Sequence, residues 1–235
     1  MRRSLLAGLA LAVYAHAGNV PGAIQVTAPA IDASERAQGF QVLFDGATLA
    51  GWRGFSSLQP TGWRAAGGVL AREGKGEGHD IMTVAEYADV DLRLEWKISE
   101  GGNSGIFFHV TTEGPYVWST GPEFQVLDNA RHADGKEAKT SAGSNYALHA
   151  PLGDVTKPVG EWNLVRLLVR GPHVEHWLNG VKLLEYELWS PDWEARVKAS
   201  KFAVLPSYGR AKIGHIALQD HGNPVWFRNI RIRVL

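Results

Sequence analysis

Residues 214–235 read GHIALQDHGNPVWFRNIRIRVL. Two runs of β-type residues, 215–219 and 225–234, flank the polar break Asp220-His221-Gly222-Asn223-Pro224, and that composition marks a turn. The spacing predicts a terminal hairpin. Side chains of a strand alternate between faces, so Ile216 and Leu218 point one way while His215, Ala217 and Gln219 point the other. In the second run Trp226, Arg228, Ile230, Ile232 and Val234 share one face, and Phe227, Asn229, Arg231 and Arg233 share the opposite one. A small residue between two polar ones on one face is the pattern of an open surface prepared for a ligand.

Short runs of the same kind recur upstream. The first strand is expected at Phe40–Phe44, closed by an Asp45-Gly46 turn, followed by runs at 63–71, 79–84, 90–98, 104–110, 122–127, 145–149, 162–170, 173–179, 181–187 and 202–206. This spacing predicts an all-β fold, a jelly-roll sandwich of two antiparallel sheets. One short helix is expected near 191–200. Ser190 supplies its N-cap, Pro191 its first turn and Asp192 and Glu194 its early acids.

The chain has 235 residues, 45% of them hydrophobic, enough for one domain with a substantial core. Lysine plus arginine equals aspartate plus glutamate at 24 each, which removes the electrostatic case for nucleic acid or an acidic membrane surface. There is no cysteine, so disulfides, lipoprotein attachment, thiolate zinc sites and cysteine nucleophiles are excluded together. Residues 1–17 have the form of an export signal: Arg2-Arg3, the apolar stretch Leu5–Val13, then Ala15-His16-Ala17. The apolar stretch is too short to span a bilayer, and the expected location is the periplasm. Residues 18–37, rich in Ala, Gly, Pro and Ser, read as a flexible leader, and 38–235 as the domain.

Three segments carry more polar material than a packed strand requires. In Asn103–His109, alternation sends Ile106 and Phe108 inward and leaves Asn103, Phe107 and His109 opposite. In Gly121–Asp128, Glu123 and Gln125 share one face against Phe124 and Val126. The terminal segment adds His215, Gln219 and His221. On one sheet these would bring a carboxylate, amides and imidazoles into a single groove, a workable acid–base set. Each piece also has a plainer reading: a solvated histidine, a strand entrance after Gly121-Pro122, or turn geometry at Gly222. Trp162 and Trp177 fit the core or its rim, and Trp118, in a Gly/Ser/Thr-rich loop, is the better sugar-stacking candidate.

Several runs together resemble a known family: FDGATLAGW (44–52), NSGIFF (103–108), GPEFQVLDN (121–129), KPVGEWN (157–163), HWLNG (176–180), SKFAVLPSYG (200–209) and the terminal run 214–235. In this order they are similar to the 3-keto-disaccharide hydrolase domain family. The resemblance implies a concanavalin A-like lectin/glucanase sandwich. It also implies cleavage of glycosides whose sugar a separate sugar 3-oxidoreductase has already oxidised at C3. A conventional glycosidase needs two opposed carboxylates, and the acidic E-x-D-x-E strand of glucanases on this fold is missing here. A 3-keto sugar needs only a base for the acidified C2 proton and donors for the C3 oxygen and the leaving group.

On that basis Glu123 or His109 is the base, with His221 and Gln219 as donors. Gln125, Lys139, Asn103, His215 and Trp118 would bind substrate. No cofactor is expected. The gathering of His and carboxylates leaves a divalent cation open, although no H-x-H or H-E-x-x-H spacing supports one. The alternative reading is a non-catalytic, lectin-like carbohydrate-binding module on the same fold.

Overall fold

The computed structural model describes residues 31–235; the expected export signal lies outside them. Its strands are β1 (Gln41–Val42), β2 (Trp52–Gly54), β3 (Trp63–Ala66), β4 (Val69–Arg72), β5 (Ile81–Thr83), β6 (Val90–Ile98), β7 (Asn103–Val110), β8 (Glu123–Leu127), β9 (Asn163–Arg170), β10 (His173–Leu178), β11 (Val181–Glu187), β12 (His215–Leu218) and β13 (Val225–Val234). The helices are α1 (Ala33–Ala37) and α2 (Pro191–Lys198). Two antiparallel sheets form a jelly-roll β-sandwich. The larger runs β11-β10-β9-β6-β13-β4-β3, with β1 joining β13, and the smaller runs β2-β5-β12-β7-β8.

Strand β6 shows why the sheets pack. Val90, Leu92, Leu94, Trp96 and Ile98 are buried at alternate positions and face a core shared with Ile106, Phe108, Phe124 and Val126 of the smaller sheet. Helix α2 follows its sequence signals: Ser190 Oγ accepts from Trp193 N–H at 3.2 Å, and Trp193 and Val197 are buried.

The terminal segment differs from the expected hairpin. Strand β12 pairs with β5 and β7 in the smaller sheet, whereas β13 pairs with β6 and β4 in the larger. The break at 220–224 is therefore an arch from one sheet to the other. Alternation alone could not see this, because β12 is buried on both faces. Ile216 and Leu218 enter the main core, and Ala217 joins Phe55, Met82, Phe107, Val110 and Val117 on the far side.

Buried ionic chemistry holds the arch. Arg72 Nε lies 2.7 Å from Asp220 Oδ2, both side chains almost unexposed. The same guanidinium donates to the carbonyls of Lys75 and Gly76 at 3.0 and 3.1 Å. Asp220 N–H donates to Asp80 Oδ1 at 2.9 Å, and Asp220 Oδ1 accepts from Gly222 N–H at 2.9 Å. A Cβ on Gly78 would overlap Asp220 Oδ2, which explains the glycine there.

Strict alternation also fails in β13. The register with β6 slips between Arg228 and Arg231, and Asn229 takes φ 51°. This is a β-bulge, one extra residue that re-aims all that follow. Phe227, Ile230 and Ile232 consequently all face the core, and Trp226, Arg228, Arg231 and Arg233 face outward.

Three further expectations change. Residues 145–149 form isolated bridges and residues 201–204 a 3-10 turn, so neither run is a strand. The last residues of the expected leader, 31–37, are ordered. Asp32 caps α1, and Glu35, on the outer face of the larger sheet, pairs with Arg93 at 3.2 Å and Arg231 at 2.8 Å. Trp162 and Trp177 lie on the rim, under the guanidinium groups of Arg228 and Arg166.

Removing Arg72 while leaving Asp220 strands a buried carboxylate and two carbonyls. Arg72→Leu is expected to lower unfolding free energy by about 3–5 kcal/mol in urea titrations. A loss below about 1 kcal/mol would mean that the arch does not depend on this pair.

Candidate active site

The smaller sheet presents its outward face to a cleft of about 230 Å³ lined by Asn103, Trp118, Glu123, Gln125, Asp134, Tyr146, Lys201, Gln219 and His221. Strands β7, β8 and the end of β12 supply the floor. Asn103 opposes Leu127, Gly105 opposes Gln125, and Phe107 opposes Glu123. Gln219 is tied beside β7 by its N–H to Gly105 O at 3.0 Å, and its carbonyl accepts from Ser104 Oγ at 2.8 Å. Because β8 alternates, Phe124 and Val126 enter the core while Glu123 and Gln125 turn to the cleft.

Glu123 is buried, 5% exposed, and its carboxyl lies across Gly105. A Cβ at Gly105 would overlap Glu123 Oε1 and lie 2.7 Å from Phe107 Cε2, so only glycine leaves room for the acid. Burial pushes the Glu123 pKa up to about 8. The Lys201 cation opposes that shift, and the Asp80 and Asp134 carboxylates add to it. Asp80, beside the arch, is itself pushed up to about 6, mainly by burial. A carboxyl poised near neutrality in a cleft is the group expected of a proton-transfer site.

Loops close the sides. Tyr146 donates its hydroxyl proton to Asp134 Oδ2 at 3.0 Å, and burial with that bond raises the phenol's pKa. Lys201 Nζ sits 4.2 Å from the Tyr146 ring centroid and 5.8 Å from that of Trp118. No carboxylate lies within ion-pair distance of Lys201 among the described residues. At the other end, the His132 and His221 rings stand 6.1 Å apart, and the Asn103 amide is 3.5 Å from His132 Nε2. Gln125 is partly committed: its amide donates to Thr140 O at 3.3 Å and its oxygen accepts from Val126 N–H at 3.0 Å.

Six predicted site residues therefore meet: Glu123, Gln125, Asn103, Gln219, His221 and Trp118. Three do not. A register slip between β7 and β12 puts His109 at φ 52° and turns its ring to the carbonyl of Ala88, 2.8 Å from Nε2. Burial lowers its pKa, so it stays neutral there. The same bulge directs His215 to the carbonyl of Ala85 at 3.2 Å. Lys139 lines a separate recess with His149, Leu152 and Arg196.

Sequence reasoning missed Lys201, Tyr146, Asp134 and His132. All four sit in loops or 3-10 turns, where alternation gives no facing; Lys201 did lie within the run 200–209.

A larger recess of about 320 Å³ lies at Trp96, Leu127, Asp128, Asn129, Lys157 and Asn163. Its polar groups already hold loops: Asp128 accepts from Gly101 N–H at 2.8 Å, and Asn163 from Lys157 N–H at 2.8 Å. His173, Glu175 and Glu185 form the one metal-competent grouping among the described residues. It sits on β10 and β11, away from the cleft, with Lys182 Nζ 2.6 Å from Glu185.

The sequence profile of the 3-keto-alpha-glucoside-1,2-lyase-like domain matches residues 39–233. A 3-keto-disaccharide hydrolase of Bacteroides thetaiotaomicron is 35% identical over 230 residues, covering 85% of this chain and 79% of that protein. The crystal structure of a glycosyl hydrolase candidate from Parabacteroides distasonis superposes with a TM-score of 0.82 at 36% identity, covering 89% of this chain and all of the other. A second from the same organism gives 0.66 at 28%, covering 83% and 99%.

The Glu123 shift has a signed consequence for stability. Below about pH 4.5 the group is protonated folded and unfolded; between there and about 8 the unfolded chain ionises while the folded one resists. The wild-type protein should lose thermal stability relative to Glu123→Gln across that window, then level off. Parallel melting curves from pH 4 to pH 9 would show it, and a constant gap would mean that Glu123 is not held in an apolar site.

Proposed function

Because the chain belongs to the 3-keto-alpha-glucoside-1,2-lyase-like family, we propose that this carbohydrate hydrolase cleaves 3-keto-glycosides in the cleft on the smaller sheet. The carrying observation is a single buried carboxyl, Glu123, with its pKa raised to about 8, between a lysine and a cluster of amides and imidazoles. That set suits an elimination better than a displacement, which calls for two carboxylates free to face each other across the bond; the second carboxylate of the cleft, Asp134, is held by the Tyr146 hydroxyl.

The ionised Glu123 removes the C2 proton of the oxidised ring. The C–H electron pair moves toward C3 and leaves negative charge on the C3 oxygen, where the Gln219 amide and His221 donate hydrogen bonds. The enolate then collapses, the C1–O bond to the leaving group breaks, and a C1–C2 double bond forms. The leaving oxygen takes back the proton that Glu123 holds, beside the Lys201 ammonium. Water adds at C1 while a proton returns to C2, so the net change is hydrolysis. A raised pKa makes Glu123 a stronger base, and the Lys201 charge keeps enough of it ionised to work.

The ketone must come from a separate sugar 3-oxidoreductase. The export signal read in residues 1–17 supports a periplasmic location, where the partner oxidoreductase is also expected, and recovery of the protein solely from cytoplasm would count against that location. No described helix is long and apolar enough to cross a membrane.

Glu123→Gln is expected to lower kcat/KM on a 3-keto-glycoside by about 10²–10⁴-fold. Full turnover would overturn the assignment, and binding of the keto sugar by wild type without cleavage would point to a lectin-like module. For the wild-type enzyme, kcat/KM should rise with pH to a plateau above about 8. In Lys201→Met that limb should move to higher pH, since the lost cation held the carboxyl down. An unmoved limb would detach Lys201 from Glu123.

A further inference from the structure

The cleft has a direction. Along β7, Asn103 marks an end filled with hydrogen-bonding groups: His132, His221 and Gln219. Four residues on, about 13 Å away at strand spacing, Phe107 lies under Val117, in the 3-10 turn Val117–Ser119. That turn carries Trp118 into the cleft wall, and Tyr116, the residue that caps the turn, stacks on Trp118 outside the lining. The two rings are stacked, centroids 4.9 Å apart and planes 10° from parallel, and Tyr116 is 51% exposed.

The platform is fixed. Thr120 Oγ1 accepts from Thr111 N–H at 3.0 Å and donates to Thr111 O at 3.2 Å, closing the loop at its base. Ser119 Oγ accepts from Tyr116 N–H at 3.3 Å, and a Cβ on Gly114 would overlap Ser119. A rigid, half-exposed aromatic pair is a ready stacking surface, because little conformational entropy remains to be lost on binding.

The enclosed volume, about 230 Å³, is below the 300–1,000 Å³ or so that encloses a drug-sized ligand. Two sugar rings cannot both be covered, so one part of the substrate rests outside. The Glu123 carboxyl reaches over Gly105, midway along β7 between Asn103 and Phe107, which places the acid between the polar and aromatic ends. C1 and C2 are adjacent atoms, so a base at C2 with the hydroxyl-rich ring toward Asn103 sends the C1 substituent toward Trp118.

We infer that the Tyr116–Trp118 pair seats the leaving group, and that the protein takes glycosides whose leaving group has a flat apolar face, either an aryl group or a second pyranose. This rests on the cleavage reading above, and the experiment separates the two.

The test measures kcat/KM on the 3-keto forms of methyl glucoside, phenyl glucoside and a glucose disaccharide, for wild type, Tyr116→Ala and Tyr116→Phe. Tyr116→Ala should lower the phenyl-to-methyl ratio, the disaccharide-to-methyl ratio, or both, by about threefold to tenfold, what one aromatic contact supplies. Tyr116→Phe should restore it. Loss in the phenyl ratio alone identifies aryl glycosides, and loss in the disaccharide ratio alone identifies a sugar. Ratios unchanged in Tyr116→Ala would overturn the inference.

If wild type cleaves none of the three, the cleavage reading fails. Calorimetry in Glu123→Gln with and without Tyr116→Ala then decides. A phenyl-over-methyl binding preference lost with Tyr116 upholds the platform, and equal binding removes it.

Discussion

Arg72 and Asp220 face each other out of water at the point where the chain leaves one sheet for the other. A buried pair of this kind adds little net stability over an apolar substitute, because desolvation offsets most of the attraction. What it adds is exclusivity. Asp220 can sit only where a guanidinium waits, and Arg72 also needs the carbonyls of Lys75 and Gly76. That geometry fixes where β12 stops and where the arch begins, and Gln219 and His221 project from either side of it. The acid–base cleft inherits its register from this pair.

The same economy governs Glu123. A buried acid costs free energy at neutral pH, and its position is kept by what is absent as much as by what is present. Gly105 offers no side chain, Lys201 sits close enough to moderate the charge, and Asp80 and Asp134 push the other way. The other carboxylate lining the cleft, Asp134, is engaged by the Tyr146 hydroxyl.

Much of this was legible from alternation. Glu123 and Gln125 against Phe124 and Val126, and Ile106 and Phe108 against Phe107, came out on the faces expected, because two-residue periodicity is a hard geometric rule within regular strands. It failed at bulges. Asn229 reversed the second half of β13, and the slip near His109 removed two histidines from the groove. The hairpin expected around 220–224 failed for a different reason: a polar break between two strands signals a turn and does not say which sheet receives the next strand. Lys201 and Asp134 had no periodicity to betray them, and the strand expected at 145–149 misread Tyr146, since loop residues are aimed by tertiary contacts.

Strand β13 lies in the middle of the larger sheet, between β6 and β4. Residues 225–234 come after every other strand in sequence, yet they join the two halves of that sheet. Until they are made, β6 and β4 present unpaired edges, and the core shared by Trp96, Phe227 and Ile230 has no lid. Closure of the larger sheet thus waits on β13, whose pairings with β4 and β6 are distant in sequence and so form slowly. Loss of the β13 pairings alone would leave β6 and β4 prone to edge-to-edge association.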